Sequence, residues 1–364
     1  MSSKTVEEAV LESVRDDMSD TRVKERDLHI DSINYRHSEM VARKKMKEVA
    51  QNVDVTKPNP DRVRKIKEAN EQYFELVKDS KLFLNNEDFN VRISYFPKNL
   101  ILLTASTGEG KSTTAANLAY HALCSGQKVL MITNEEAVED SYNRVTCLIK
   151  NWAYTDHASL SKHQIDTLTN YIEILESRMK VIDDKYTTSM GGQTTTLEGI
   201  TSILESLLDK DIKFDVIIID YYQNVSTSLE NPSLVDWQVQ QKLAGFLDNF
   251  KNVYMAPIIL LAQKKPNKDD KISYKESIEG RKIILNKATC AIDINAEREL
   301  KRTSWTIKKG RFSEFLNDVI YTGYKNGRFV KYTPEFMNEV EIEKQNKERN
   351  QRLRGVSASR TLGD

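Results

Sequence analysis

Between residues 99 and 263, short apolar runs alternate with longer helix-like stretches. NLILLTA (99–105), KVLMIT (128–133), MKVID (179–183), FDVIIID (214–220) and APIILLAQ (256–263) have the length of strands. Between them, KSTTAANLAYHAL (111–123), the segment up to about residue 150, TTLEGITSILESLL (195–208) and VDWQVQQKLAGFLDNF (235–250) read as helices. Strands this apolar keep no polar face for water, so both their faces must be covered. The pattern predicts an α/β fold with a mainly parallel sheet flanked by helices.

Past residue 289 the texture becomes β-rich, in TCAIDIN, TSWTIKK, LNDVIYTGY and FVKY, and Asn326-Gly327 before the last of these predicts a hairpin turn. The stretch from Asn338 to the end has no apolar period and reads as a mobile, charged tail. Residues 1–55 are polar, charged and almost free of Gly and Pro, which reads as helix, and the basic run MVARKKMK (40–47) reads as a solvated helix face. TKPNPD (56–61) breaks that pattern, and a helix follows Pro60 with Asp61 in its first turn. Val63, Ile66, Ala69, Tyr73 and Leu76 share one of its faces, which needs a surface to dock on, in its own core or on a neighbouring subunit. The expected organisation is a small α-helical N-terminal region (1–55), a linker helix (56–82), an α/β domain (83–335) and a flexible tail (336–364).

Composition narrows this picture. In 364 residues, 54 basic and 54 acidic side chains cancel, so any nucleic-acid surface must be local rather than global. The apolar runs are far shorter than a membrane span, and MSSKTVEEAVLESVRDD has no apolar leader core. Three cysteines without metal-like spacing fit a reduced, cytoplasmic setting, and the five histidines are scattered.

The candidate chemistry begins at TASTGEGKST (104–113), which stands between a strand and a helix. This is the context of a phosphate-binding loop: Gly108 and Gly110 permit the sharp turn, and successive N–H groups and the helix start face an anion. Ser106, Thr107, Gly108, Glu109, Gly110, Lys111, Ser112 and Thr113 form the expected cradle. Lys111 reaches outer phosphates, and the Ser112 hydroxyl can hold Mg²⁺. The motif's usual first glycine is Ala105, one departure from the strict pattern. VIIID ends in Asp220, a strand-end carboxylate suited to the same metal ion. Glu135, ending the second strand, can orient and deprotonate a water; Glu136 competes with it, and either acid can simply complement a helix dipole.

LLTASTGEGKSTTAANLAYHALCSGQKVLMITNEEAVED, VIIIDYYQNV, IILLAQ and WTIKKGRF, in this order, resemble the motifs of DnaB-like replicative helicases, the hexameric RecA-fold family, and look closest to phage members. The resemblance runs over about residues 95–333 and implies a RecA-like P-loop NTPase domain that uses ATP and Mg²⁺. It implies that Lys111 and Ser112 bind phosphates and metal, Asp220 completes the metal site and Glu135 is the catalytic base. It further implies that Gln263 senses the γ-phosphate, and that Lys309 and Arg311 reach a neighbouring subunit's nucleotide as an arginine finger does. Unaided, KKGR reads as a solvated basic turn.

Lys264, Lys265, Lys268 and Arg281, after the fifth strand, are candidates to track single-stranded DNA, against the plainer reading of a long loop of mixed charge. The implied partners are five further copies in a homo-hexamer, single-stranded DNA, and a primase, polymerase or helicase loader, with no membrane. The N-terminal domain usual in the family is not recognisable in residues 1–55, and FNVRISYFPKN replaces its Gly-rich approach to the first strand. Rival readings are a RecA-fold ATPase of recombination, repair or DNA packaging, and an inactive loader or decoy. Lys111, Glu135, Asp220 and Arg311 together argue against the inactive one.

Overall fold

A computed structural model describes residues 60–78, 83–89, 93, 97–154, 160–184, 194–265, 273–278, 282–310 and 315–346. The expectations for residues 1–55, Lys268, Arg281, Arg311 and the chain beyond 346 lie outside the described residues. The chain divides into two compact units, Met1–Glu71 and Gln72–Asp364. Helix α1 (Pro60–Lys78) begins in the first, with Asp61 in its first turn and Val63 and Ile66 exposed.

The second unit is built on one sheet. Its strands are β1 (Leu100–Ser106), β2 (Val129–Thr133), β3 (Met179–Ile182), β4 (Val216–Asp220), β5 (Ile258–Lys264), β6 (Cys290–Glu297), β7 (Arg302–Gly310), β8 (Val319–Lys325) and β9 (Arg328–Lys331). Their spatial order is β3-β2-β4-β5-β1-β6-β7-β8-β9. The strands from β3 to β6 in that order are parallel, and β7, β8 and β9 extend the sheet antiparallel. Helices α2 (Lys111–Cys124), α3 (Val138–Lys150), α4 (Lys162–Glu176), α5 (Leu197–Asp209) and α6 (Asp236–Tyr254) connect the strands, with short helices α7 (Tyr274–Ser277) and α8 (Lys282–Lys287) before β6.

The double burial expected of the apolar strands is present. Ile101, Leu103, Ile259 and Leu261 pack on the side of α2 and α3, whereas Leu100, Leu102, Ile258 and Leu260 pack on α5, α6 and α8. All eight are at most 1% exposed, so each strand contributes to two cores. Asn326 (φ 52) and Gly327 (φ 85) form the expected β8–β9 turn, both in the left-handed region that the twist of a tight hairpin requires. The buried Asn117 of α2 grips that hairpin, donating to the Gly327 carbonyl at 2.8 Å and accepting from the Phe329 N–H at 2.8 Å.

Two elements depart from the sequence reading. Helix α4 has no counterpart in it, although Ser161 and Gln164 form a capping box and Leu168 and Leu175 are buried a helical repeat apart. Residues 334–346 form helix α9, which corrects the reading of a tail without structure from Asn338. Phe336 anchors it and is buried, which fixes a helix that its own apolar period would not specify.

Candidate active site

The carboxyl ends of β1, β5, β4 and β2 lie side by side, and each carries a residue singled out by the sequence. β1 leads into the Gly-rich loop, where Gly108 (φ 80) and Gly110 (φ 83) adopt backbone that L side chains rarely take. Gly110 caps α2 without any side-chain bond, and the first turn of α2 holds no acid. The positive end of this helix therefore faces the loop uncompensated, an arrangement that favours an anion.

Lys111 is 8% exposed, and its ammonium faces inward, 3.4 Å from Gln263 Oε1 and 5.1 Å above the Tyr221 ring. Gln263 is the penultimate residue of β5, between β1 and β4, and its Nε2 donates to Thr107 Oγ1 at 2.7 Å. Its backbone is held by the Gln223 side chain, which donates to the Gln263 carbonyl at 2.8 Å and accepts from its N–H at 3.1 Å. Gln223 thus extends the sheet's hydrogen bonding by one side chain and locks the turn after β4 to the end of β5.

Asp220 is fully buried at the end of β4, and neither carboxylate oxygen has a hydrogen-bond partner among the described residues. Burial, reinforced by the carboxylates of Glu135 and Glu136 and opposed by Lys111 and the Ser112 hydroxyl, pushes its pKa up to about 7. An orphaned buried carboxylate beside a serine hydroxyl and an anion cradle has the donor chemistry for a hydrated divalent cation that also takes phosphate oxygens. Among the described residues no three His, Cys, Asp or Glu side chains cluster, so protein groups alone do not build a closed metal cage.

The raised pKa carries a testable consequence. Above the ordinary value of 3.8 the unfolded chain has released this proton, while the folded chain keeps it up to about 7. Burial of Asp220 therefore costs the metal-free protein stability progressively as pH rises through that window. Asp220→Asn is expected to raise the melting temperature of metal-free protein near about pH 8, by an amount on the order of 1–4 kcal/mol in free energy, and to lose the advantage near about pH 4. Parallel melting curves at both pH values would show an ordinary carboxyl.

Glu135 and Glu136, equal candidates in sequence, are distinguished by their surroundings. Glu136 accepts from Arg144 Nε at 3.1 Å and Nη2 at 2.8 Å, and its backbone is tied to Thr133. Glu135 is exposed and has no hydrogen-bond or ion-pair partner among the described residues. Asn134, which the sequence did not flag, fixes their position. Its N–H donates to the Asp220 carbonyl at 3.0 Å and its Oδ1 accepts from the Tyr221 N–H at 3.0 Å, across the Asp220–Tyr221 cis peptide.

A cavity of about 400 Å³ opens beside the loop, lined by Gly108, Gly110, Arg298, Lys301, Arg302 and Tyr324 among others. Arg298 donates to the Gly108 carbonyl at 2.6 Å, and Glu109 accepts from the Ala296 N–H at 2.7 Å, so the end of β6 clamps the loop. Sequence reading missed this second wall, because its residues follow the loop by about 190 positions and carry no motif.

The remaining candidates lie elsewhere. Lys309 pairs in register with Ala291, itself opposite Leu102, at the amino end of β1 and away from the loop. Its ammonium donates to the carbonyls of Leu285 and Asn286 at the end of α8, at 2.5 and 2.9 Å. Lys264, half-buried, is committed to an ion pair. It reaches across β1 to Asp293 at 2.8 Å, and Thr104 Oγ1 donates to the same carboxylate at 3.0 Å. Lys265 is exposed.

The Gly-rich loop and the strand-end carboxylate meet at the carboxyl ends of interior strands, in a fold of the replicative-helicase type. Residues 87–274, over half of the 364, match the DnaB-like helicase C terminal domain, and the chain belongs to that family. It is similar to a solved ATPase domain, at 14% identity and a TM-score of 0.58 over 74% of this chain and 99% of that one. It is also similar to a DnaB-like replicative helicase solved for its interactions with primase, at 15% identity and a TM-score of 0.57 over 81% of this chain and 76% of that one. At these identities the likeness concerns the fold. No curated protein sequence matches the chain.

Proposed function

We propose that the chain is an ATP-dependent replicative DNA helicase, a homo-hexameric ring that translocates on single-stranded DNA and hydrolyses nucleotide at its subunit interfaces. The observation that carries this reading is the orphaned Asp220 carboxylate facing Lys111 beneath the uncapped start of α2, within a DnaB-like fold. The loop from Ser106 to Thr113 would take the phosphates, and the cavity walled by Arg298 and Tyr324 the nucleoside. Ser112 and Asp220 would hold Mg²⁺, which when bound shields phosphate charge. Glu135, unencumbered where Glu136 is paired, would orient and accept a proton from the attacking water. Gln263, touching both Lys111 and Thr107, would report the outer phosphate to the chain that follows β5.

The register of β7 supports an assembly. Four residues of strand separate Leu102, the level of Lys309, from Ser106 at the start of the loop, about 13 Å. Lys309 thus suits a neighbour's nucleotide better than its own, and the same role for Arg311 rests on the family resemblance. The 5′→3′ direction rests on the family resemblance alone, as do the roles of Lys265, Lys268 and Arg281 on DNA and a primase, polymerase or loader as partner. A cytoplasmic setting is proposed with them; among the described residues no helix is long and apolar enough to cross a membrane.

Steady-state ATP hydrolysis with and without single-stranded DNA tests the reading. Several-fold stimulation by single strands is expected. Hydrolysis indifferent to single strands would point to a packaging or repair ATPase, and no hydrolysis to an inactive loader.

A further inference from the structure

We propose that helix α9 is a buttress for the outer wall of the cavity beside the loop, and that its grip on β8 sets the affinity for nucleotide. The inference rests on the reading of that cavity as the nucleoside half of the site. Three cavity residues are linked to α9, Lys301 directly and Arg302 and Tyr324 through their neighbours. Lys301 pairs its ammonium with Glu343. Arg302 stacks on the rings of Tyr321 and Tyr332, 4.4 and 5.7 Å away, and Tyr332 meets Phe336 edge to face at 5.9 Å. Tyr324 has its backbone N–H bound to the Lys301 carbonyl at 2.7 Å and is flanked by Gly323 and Lys325. Lys325 pairs with Glu339 at 2.7 Å, and Gly323 lies so close under Phe336 that a Cβ there would meet the ring at 2.7 Å.

Phe336, Glu339 and Glu343 are spaced by three and four residues and so share one helix face. That face is therefore matched to the strand ends bearing the cavity wall, with an aromatic ring seated on a glycine and two acids further along the helix. A ligand packing against Tyr324 and Arg302 gains most when those side chains are already fixed, because the ordering cost has been met before binding. Release of α9 leaves the phosphate loop, Asp220 and Glu135 in place and loosens the nucleoside wall. The effect belongs in nucleotide affinity rather than in turnover at saturation.

The test uses the full chain, with ADP titrated calorimetrically and ATP hydrolysis resolved into KM and kcat. Phe336→Ala is expected to raise the Kd for ADP and the KM for ATP roughly 3- to 10-fold with kcat unchanged. Glu339→Lys, which sets two cations against each other, is expected to raise both roughly 2- to 5-fold at low salt, less at high salt, with recovery in the Lys325→Glu/Glu339→Lys swap. Should Phe336→Ala lower the melting temperature enough to obscure binding, the swap series decides alone. An unchanged Kd in Phe336→Ala, with hydrogen exchange showing α9 released, overturns the buttress, as does failure of the swap to recover affinity. Absence of ADP binding in the unaltered protein removes the underlying nucleotide reading, and the buttress with it.

Discussion

Lys111→Ala is expected to abolish ATP hydrolysis, with a fall of about 10³-fold or more in kcat. The ammonium is nearly buried, has Gln263 and the Tyr221 ring for company, and its charge acts on Asp220 to lower that carboxyl's pKa. In the proposed reading phosphoryl transfer concentrates negative charge at this group, and a preorganised charge in a site shielded from water contributes more than the same charge in bulk. The methyl of alanine removes that charge and leaves the backbone cradle and the end of α2 intact, so some nucleotide binding should survive. Asp220, losing the Lys111 field, should bind its proton more tightly, shifting the pH at which metal can compete to higher values. Turnover that stays within about 10-fold of the parent would refute the phosphate-loop assignment.

Arg311→Ala is expected to bind nucleotide normally and to lose hydrolysis, by about 10³-fold if it acts as an arginine finger. The argument is one of position: the preceding Lys309 sits at the opposite end of the sheet from its own loop, with its ammonium committed to the end of α8. Mixing subunits carrying Arg311→Ala with subunits carrying Lys111→Ala should restore activity at those interfaces where an intact loop meets an intact arginine. Full turnover by Arg311→Ala alone would remove the cross-subunit role, and absence of any recovery on mixing would show that each subunit must supply both groups.

Much of the fold was legible because parallel strands advertise themselves: VIIID and IILLA have no residue to spare for water, and the structure buries them on both faces. The Asn-Gly hairpin was legible for a local reason, since two successive left-handed residues suit few other pairs. The loop, Asp220 and Gln263 carry their chemistry in their spacing from strand ends. Strand order does not: nothing in residues 258–264 alone says that β5 lies between β1 and β4, and only that placement brings Gln263 to Lys111 and Thr107. The same holds for Gln223, Asn134, Arg298 and Tyr324, which matter through partners distant in the chain. The ion pair of Lys264 was hidden for the same reason, as its partner Asp293 is 29 residues away and on a strand two places across. Helix α9 was hidden because charged residues crowd its sequence and one phenylalanine does most of the anchoring.

The Lys264–Asp293 bridge over β1 also bears on how the sheet carries force. β1 and β5 run side by side in the same direction over seven matched pairs, from Leu100–Ile258 to Ser106–Lys264. A pull on the chain emerging from β5 enters at one end of that ladder, where hydrogen bonds would break in succession, as a zipper opens. The salt bridge closes the zipper at that end by fastening β5 past β1 to β6, so the first increment of any tug is spread over three strands. The end of β5 is thereby anchored like a rope led around a second post before it takes the strain.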